Sequence, residues 1–273
     1  MRFGCCGNML VQKGVGDFIA PVIKQLGYDY IELPLAQLEE LDEEEFNSVE
    51  QNLRDSGIQC EVCNILFPPQ IKLFSPDTDS TQIRVYLNHA FARAKRLGVQ
   101  YAVFGSGPSR TVPEGMSQAE AWDRLVRITG DIGGMAGAYG VTVLIEPLRR
   151  QECNIVNSVK EGLKLAKCVK HPNVKLLVDF FHLRNEGEDP EIICQAGDYI
   201  KHVHIANTSG RVFPKQLEED AYAPFIQALE KINYDARISV ESYTADFTND
   251  ASHSLQFLKS NFMWKAGKNE ERK

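Results

Sequence analysis

The sequence predicts an α/β protein built as a single (β/α)8 barrel, a TIM barrel, and three observations lead to this fold class. Short apolar or β-branched runs alternate with longer amphipathic stretches, which favours parallel strands joined by helical crossovers. Eight such units fit within the 273 residues, a usual length for a closed barrel of this kind. The first predicted strand is not followed by the glycine-rich phosphate turn that would favour a doubly wound open sheet.

The predicted strands and helices follow one another from end to end. The strands are Arg2–Cys6, Tyr28–Leu33, Gln59–Leu66, Tyr101–Gly105, Thr142–Glu146, Val174–Asp179, His202–Ala206 and Ile238–Glu241. The helical stretches cover approximately 14–26, 43–56, 79–97, 117–139, 157–170, 189–197, 218–232 and 248–262. Asn157 and Ser158 suit the start of a helix, and Gly98 and Gly140 suit the left-handed residue that follows a helix end.

We expect one catalytic barrel domain over residues 1–264 and a charged, disordered tail over 265–273. The chain offers no run approaching the roughly 20 apolar residues that span a bilayer, so no membrane partner is expected. The start MRFGCCGNML lacks the features of a signal peptide. Seven cysteines, an odd number, indicate reduced thiols and a cytoplasmic protein.

Charge and cysteine spacing exclude two further classes of function. The net charge of -7 disfavours a nucleic-acid partner, because the surface repels phosphates. Cys60 and Cys63 form a C-x-x-C within the third predicted strand. Their odd offset should direct the two side chains to opposite faces, so we expect buried thiols and not a redox or zinc pair.

Four successive predicted strands end in an ionisable residue. Glu146 ends the fifth strand, Asp179 the sixth, His204 lies near the end of the seventh, and Glu241 ends the eighth. The carboxyl ends of barrel strands meet at one mouth, where the active site of such folds lies. A single carboxylate at a strand end is often only solvated, but four consecutive strand ends are more informative.

Three carboxylates gathered at one mouth would repel one another and raise one another's pKa unless a cation joined them. Three oxygen ligands and one imidazole suit Mn²⁺, Mg²⁺ or Co²⁺ better than a structural zinc ion. The sequence therefore predicts one divalent metal held by Glu146, Asp179, His204 and Glu241. His202 shares the face of His204 one layer deeper, as a supporting or packed residue.

The segments IEPLRRQECN, VDFFH, HVHIAN and SVES resemble the sugar phosphate isomerase/epimerase family, whose fold is the xylose isomerase-like barrel. Ketose 3-epimerases of the tagatose/psicose type are the most similar members, and the resemblance covers essentially the whole chain. It implies a sugar substrate and a metal ion, Mn²⁺ before Mg²⁺ or Co²⁺. It also implies that Glu146 and Glu241 transfer protons, and that Glu152, His182 and Arg211 contact the substrate.

The run after His204 departs from the pattern of the epimerases. They carry Gly-Glu-x-Asn-Arg there, whereas this chain reads IANTSGR. The acidic residue is missing and Arg211 stands one position later, so the substrate contacts on that side are expected to differ. His182, three residues after Asp179, is expected to enter the pocket from a loop.

The leading hypothesis is a metal-dependent sugar epimerase or isomerase that acts on a ketose or keto-sugar through an enediolate. One glutamate would remove a proton, and the other would return it to the opposite face or to the neighbouring carbon. An alternative is a lyase or dehydratase that eliminates a β-leaving group from a keto-sugar or keto-glycoside. A non-catalytic sugar-binding role also stays open.

A remote alternative is a phosphodiesterase of the AP-endonuclease branch. That branch needs more histidines, whereas strands two and three offer Glu32 and Asn64. The sequence is compatible with a homo-oligomer.

Overall fold

Eight parallel strands pair in chain order, and the first pairs with the last to close a barrel. This computed structural model describes residues 1–10, 14–75 and 79–264. The strands are β1 Arg2–Cys6, β2 Tyr30–Pro34, β3 Gln59–Asn64, β4 Tyr101–Phe104, β5 Thr142–Ile145, β6 Val174–Asp179, β7 Ile200–Ile205 and β8 Arg237–Val240. The predicted (β/α)8 barrel is therefore confirmed.

Helices connect the strands and cover the outside of the barrel. In the described residues they are α1 Ala20–Leu26, α2 Leu35–Glu40, α3 Glu43–Ser56, α4 Ser80–Leu97, α5 Gly107–Arg110, α6 Gln118–Ala138, α7 Val159–Val169, α8 Phe180–Asn185, α9 Ile192–Ala196, α10 Tyr222–Lys231 and α11 Phe247–Phe262. The sequence did not predict α2, α5 and α8, which have six, four and six residues. They are too short to show a helical period.

Local backbone chemistry sets several element ends. Ser158 caps α7 by accepting a hydrogen bond from the Glu161 N–H, as its sequence suggested. Helix α1 begins at Ala20 and not at residue 14, because Gly16 adopts a left-handed conformation and a 3-10 turn precedes the helix. Strand β3 ends at Asn64 and not at Leu66, because Ile65 also has a positive φ of 49° and turns the chain.

The prediction that Cys60 and Cys63 face opposite sides of their strand was wrong. Their sulfur atoms lie 3.8 Å apart, and both side chains are buried. The register between β2 and β3 pairs Ile31 with Cys60 but Glu32 with Val62, so Glu61 is an extra residue in β3. Such a bulge interrupts the alternation of side chains, so Cys60 and Cys63 lie on the same face despite their odd spacing. The expectation of reduced, buried thiols is unaffected.

The interior of the barrel is filled in layers. Glu61, near the amino end, pairs with Arg2 and Arg237, which begin β1 and β8. Above them lies a separate buried cluster of Tyr30, Val62, Val103, Leu144 and Leu177. The larger apolar core lies between the strands and the surrounding helices. The apolar cluster therefore separates the charged layer around Glu61 from the carboxyl ends of the strands, where the active sites of such barrels lie.

Two further points concern the whole chain. Among the described helices none is both long and apolar enough to cross a membrane. The predicted tail, residues 265–273, lies outside the described residues.

Neighbouring glycines on α6 test the packing of this helix on the barrel. A Cβ at Gly133 would lie 2.5 Å from Val174 Cγ2, whereas at Gly134 the nearest atom is His171 Nε2 at 4.0 Å. We expect Gly133→Ala to destabilise the fold by about 1–3 kcal/mol through overpacking. Gly134→Ala should stabilise it by up to about 1 kcal/mol through helix propensity. Thermal unfolding of both variants measures the difference, and shifts of the same sign would contradict this packing.

Candidate functional site

The ends of β5 to β8 bring the four predicted metal ligands together. Glu146 and Glu241 directly follow β5 and β8, Asp179 ends β6, and His204 is the penultimate residue of β7. One ligand atom from each side chain lies within 4.8 Å of the others, and all four residues are buried. Four residues far apart in the sequence thus form one compact donor set, which we call the ligand cluster.

Two carboxylates of the ligand cluster are oriented by hydrogen bonds to one of their oxygens. Asp179 caps α8, and its Oδ1 accepts the N–H of Phe181 at 2.8 Å. Glu241 Oε1 accepts a hydrogen bond from the amide of Asn64 at 3.0 Å. The second oxygens, Asp179 Oδ2 and Glu241 Oε2, both contact Nη2 of Arg211. Each carboxylate therefore presents a fixed oxygen to the cluster.

His204 stands at the centre of the ligand cluster. Its Nε2 lies 2.9 Å from Glu32 Oε1, while its Nδ1 lies 3.3 Å from both Glu146 Oε1 and Glu241 Oε2. The Nδ1 atom is buried and has no partner with hydrogen-bond geometry among the described residues. A buried nitrogen without such a partner, facing carboxylate oxygens, is the donor arrangement that a divalent cation would satisfy.

The two glutamates of the cluster differ in proton affinity. Burial raises the pKa of Glu146 above its ordinary value, and nearby His204 only partly opposes this effect. Burial would also raise the pKa of Glu241, but Arg211 and His204 outweigh it and lower that pKa. The carboxyl group of Glu146 thus holds a proton more readily than that of Glu241, a difference that suits an acid–base pair.

Two of the predicted substrate residues lie beside the ligand cluster. His182 belongs to α8 and not to a loop, which corrects the expectation from the sequence. Its Nδ1 accepts the Arg149 N–H at 3.3 Å, so Nε2 carries the proton; Nε2 lies 3.5 Å from Asp179 Oδ2 and 4.0 Å from Glu152 Oε2. Glu152 also accepts a hydrogen bond from Arg149 Nε at 2.7 Å.

Arg211, the third predicted substrate residue, reaches the cluster from the loop after β7. Backbone pairing between Asn207 and Val212 closes this loop, and Arg211 adopts a positive φ of 52° within it. The guanidinium carbon of Arg211 lies 4.7 Å from the centre of the Phe181 ring. That of Arg149 lies at the same distance from this ring. Despite the altered run after His204, Arg211 therefore contacts the carboxylates of the cluster.

Sequence reasoning missed several residues that support the cluster. Glu32 and Asn64, noted only as strand residues that are not histidines, contact His204 and Glu241. Their place near the ends of β2 and β3 was the available signal. Arg110, fully buried, donates to the carbonyls of Phe104 at 2.9 Å and Glu146 at 2.8 Å. Nothing in its local pattern marks Arg110 as part of the site.

Comparison with known proteins places this geometry in a family. The chain is 25% identical over 232 residues to the D-psicose 3-epimerase of Ruminiclostridium cellulolyticum, covering 81% of this chain and 76% of that protein. It is 25% identical over 228 residues to the L-ribulose 3-epimerase of Methylomonas sp. (strain DH-1), covering 82% and 77%. These relatives are isomerase-class enzymes.

The crystal structure of D-psicose 3-epimerase with D-tagatose from Clostridium cellulolyticum H10 has the same fold. Its TM-score is 0.84 at 21% sequence identity, and the alignment covers 96% of this chain and 99% of that one. These matches confirm the resemblance that the strand-end motifs indicated. Because residues 21–261 match its sequence profile, the chain belongs to the xylose isomerase-like TIM barrel family.

Proposed function

We propose that this protein is a divalent-metal-dependent sugar epimerase that inverts the carbon next to the carbonyl group of a ketose. One observation carries the proposal: Glu146 and Glu241 each place a carboxylate oxygen 3.3 Å from His204 Nδ1. They follow β5 and β8, which are three strands apart around the barrel. The names of the relatives, ketose 3-epimerases, support the same reaction class.

The residues that would hold the metal are Glu146, Asp179, His204 and Glu241. Three carboxylates and one imidazole suit Mn²⁺ first, with Mg²⁺ and Co²⁺ as alternatives. A bound divalent ion would polarise the carbonyl and the neighbouring hydroxyl of the sugar. It would thereby make the hydrogen on the carbon that bears this hydroxyl more acidic.

The remaining steps fall to side chains of this chain. Glu241, whose ionised form is favoured beside Arg211, is suited to accept a proton from the sugar. Glu146, whose pKa is raised by burial, is suited to donate one. His182 Nε2–H, the Glu152 carboxylate and the Arg211 guanidinium border the cluster and offer donors and acceptors for hydroxyl groups.

Gly105 sets the position of Glu146. It follows β4, next to β5 in the barrel, and a Cβ built on Gly105 would overlap Glu146 Oε2. Only a residue without a side chain leaves room for this carboxylate in its observed position. From the other side, Arg110 holds the backbone carbonyl of Glu146. Glu146 is therefore fixed at both its backbone and its carboxyl group.

The first prediction concerns the metal. We expect chelation to abolish turnover of ketoses and Mn²⁺ to restore it. Asp179→Asn should lower Mn²⁺ affinity by at least roughly tenfold, because it removes a charged oxygen ligand while asparagine can still cap α8. Calorimetric Mn²⁺ titration measures the affinity, with Asp198→Asn at an exposed site as the control. Equal affinity in both variants would remove Asp179 from the ligand set.

The second prediction concerns the two glutamates. In D₂O with Mn²⁺, wild-type protein should introduce deuterium at C3 of unphosphorylated ketoses such as D-psicose and D-tagatose, as followed by NMR. Glu146→Gln and Glu241→Gln should each slow epimerisation by roughly 10²–10⁴-fold. Because each glutamate serves one face of the sugar, residual exchange should favour opposite C3 epimers in the two variants.

Three results would contradict this mechanism. Exchange with both epimers that survives both substitutions would exclude the glutamates as the acid–base pair. If one variant loses all deuterium exchange while the other keeps the wild-type rate of exchange, a single base is at work. Release of a leaving group from keto-glycosides without inversion would replace the epimerase by a lyase.

The third prediction concerns Gly105. Gly105→Ala should lower turnover on the order of 10²-fold, because the new methyl group displaces the Glu146 carboxylate from its working position. The control is Gly134→Ala, a substitution of the same kind in α6 that should leave turnover unchanged. Rates of C3 epimerisation at saturating Mn²⁺ provide the measurement. Unchanged turnover in a folded Gly105→Ala protein would show that the position of Glu146 is not critical.

A further inference from the structure

A buried carboxylate joins two imidazoles directly beneath the ligand cluster. Glu32 Oε1 lies 2.9 Å from His204 Nε2, and Glu32 Oε2 lies 2.8 Å from His202 Nε2. All three side chains are completely inaccessible to solvent. A carboxylate costs several kcal/mol to bury without compensation, so an arrangement that uses both of its oxygens this way has a specific role.

The far end of this arrangement is anchored to the barrel wall. His202 Nδ1 lies 3.2 Å from the backbone carbonyl of Arg237 in the adjacent strand β8. The ring of Tyr30 packs against His202 at 6.4 Å between ring centres, and the Tyr30 hydroxyl is 2.9 Å from Ser239 Oγ. These contacts fix the ring of His202, and its hydrogen bond to Glu32 fixes that carboxylate in turn.

The orientation of His204 follows from this anchor. A carboxylate oxygen can only accept, so the contact with Glu32 places a proton on Nε2 of the His204 ring and leaves Nδ1 as the nitrogen available to a metal. That Nδ1 is the atom that faces Glu146 Oε1 and Glu241 Oε2, at 3.3 Å each. We propose that Glu32 is a positioning residue that fixes His204 as an Nδ1 metal ligand. The inference rests on the metal site proposed above.

A rival donor set shares His204 with the ligand cluster and includes Glu32, which faces Nε2 of this histidine. Cys6, Glu32 and His204 also bring potential ligand atoms within 4.8 Å of one another. A metal there would take His204 through Nε2 and break the 2.9 Å hydrogen bond to Glu32. It would also draw Glu32 away from His202. The two arrangements therefore differ in which nitrogen of His204 carries the metal, and this difference can be measured.

Three variants separate the two arrangements. Glu32→Gln keeps the shape of the side chain but removes its charge, and we expect it to weaken Mn²⁺ binding roughly 10- to 100-fold. Glu61→Gln is the matched control, since Glu61 is a buried carboxylate in the same barrel interior, paired with Arg2 and Arg237 at the amino end. Glu61→Gln and Cys6→Ala should leave Mn²⁺ affinity unchanged.

Calorimetric Mn²⁺ titrations without sugar provide the first measurement. The second uses wild-type protein with ¹⁵N-labelled histidine and Zn²⁺ as a diamagnetic probe. Its ¹⁵N–¹H correlation spectrum should show His204 with Nδ1 bound to metal and Nε2 protonated. This second measurement does not depend on whether the Glu32 variant folds.

The outcomes are distinct. If the wild-type protein binds neither ion, the metal site of the proposed function fails. If it binds them but the spectrum shows coordination through Nε2, or Cys6→Ala loses affinity, the rival donor set is correct and the role assigned to Glu32 is overturned. Equal Mn²⁺ affinity in wild type and Glu32→Gln, or an equal loss in Glu61→Gln, would also overturn it.

Discussion

Four carboxyl groups converge on one buried imidazole, and this excess of negative charge governs the polar end of the barrel. Glu32, Glu146 and Glu241 all lie within 3.3 Å of a nitrogen of His204, and Asp179 completes the ligand cluster. Like charges at such distances cannot all stay ionised without compensation. Arg211, the backbone N–H at the start of α8 and the Asn64 amide each offset part of that charge. The divalent cation proposed above would offset the remaining negative charge.

The two halves of the barrel contribute differently to this end. Strands β5 to β8 supply the ligand cluster, whereas β2, β3 and the turn after β4 supply residues that position it, namely Glu32, Asn64 and Gly105. The chemistry is thus concentrated in the carboxyl-terminal half of the chain. The amino-terminal half determines how tightly those groups are held, because Glu32 contacts Nε2 of His204 and Asn64 donates a hydrogen bond to one oxygen of Glu241.

The sequence predicted the barrel and the ligand cluster because strand ends are readable from alternation and all parallel strands end at one mouth. The same rule could have drawn attention to Glu32 and Asn64, but a residue that supports a ligand carries no pattern of its own. The face assignment of Cys60 and Cys63 was wrong because one extra residue in β3 reverses the alternation without a local signal. The substrate contacts proposed for Glu152, His182 and Arg211 came from family resemblance and could not be derived from spacing. The short helix that carries His182 was too brief to detect.

The ring of Phe181 orders two arginine side chains at the mouth of the barrel. Guanidinium groups from the loop after β5 and the loop after β7 both rest 4.7 Å from its centre. Planar groups stacked in this way have few rotamers left to lose. Because both guanidinium groups already contact this ring in the folded protein, the entropy of ordering two long side chains is lost during folding and not on association. This side of the pocket is therefore preorganised, and a ligand that binds there need not order these two side chains.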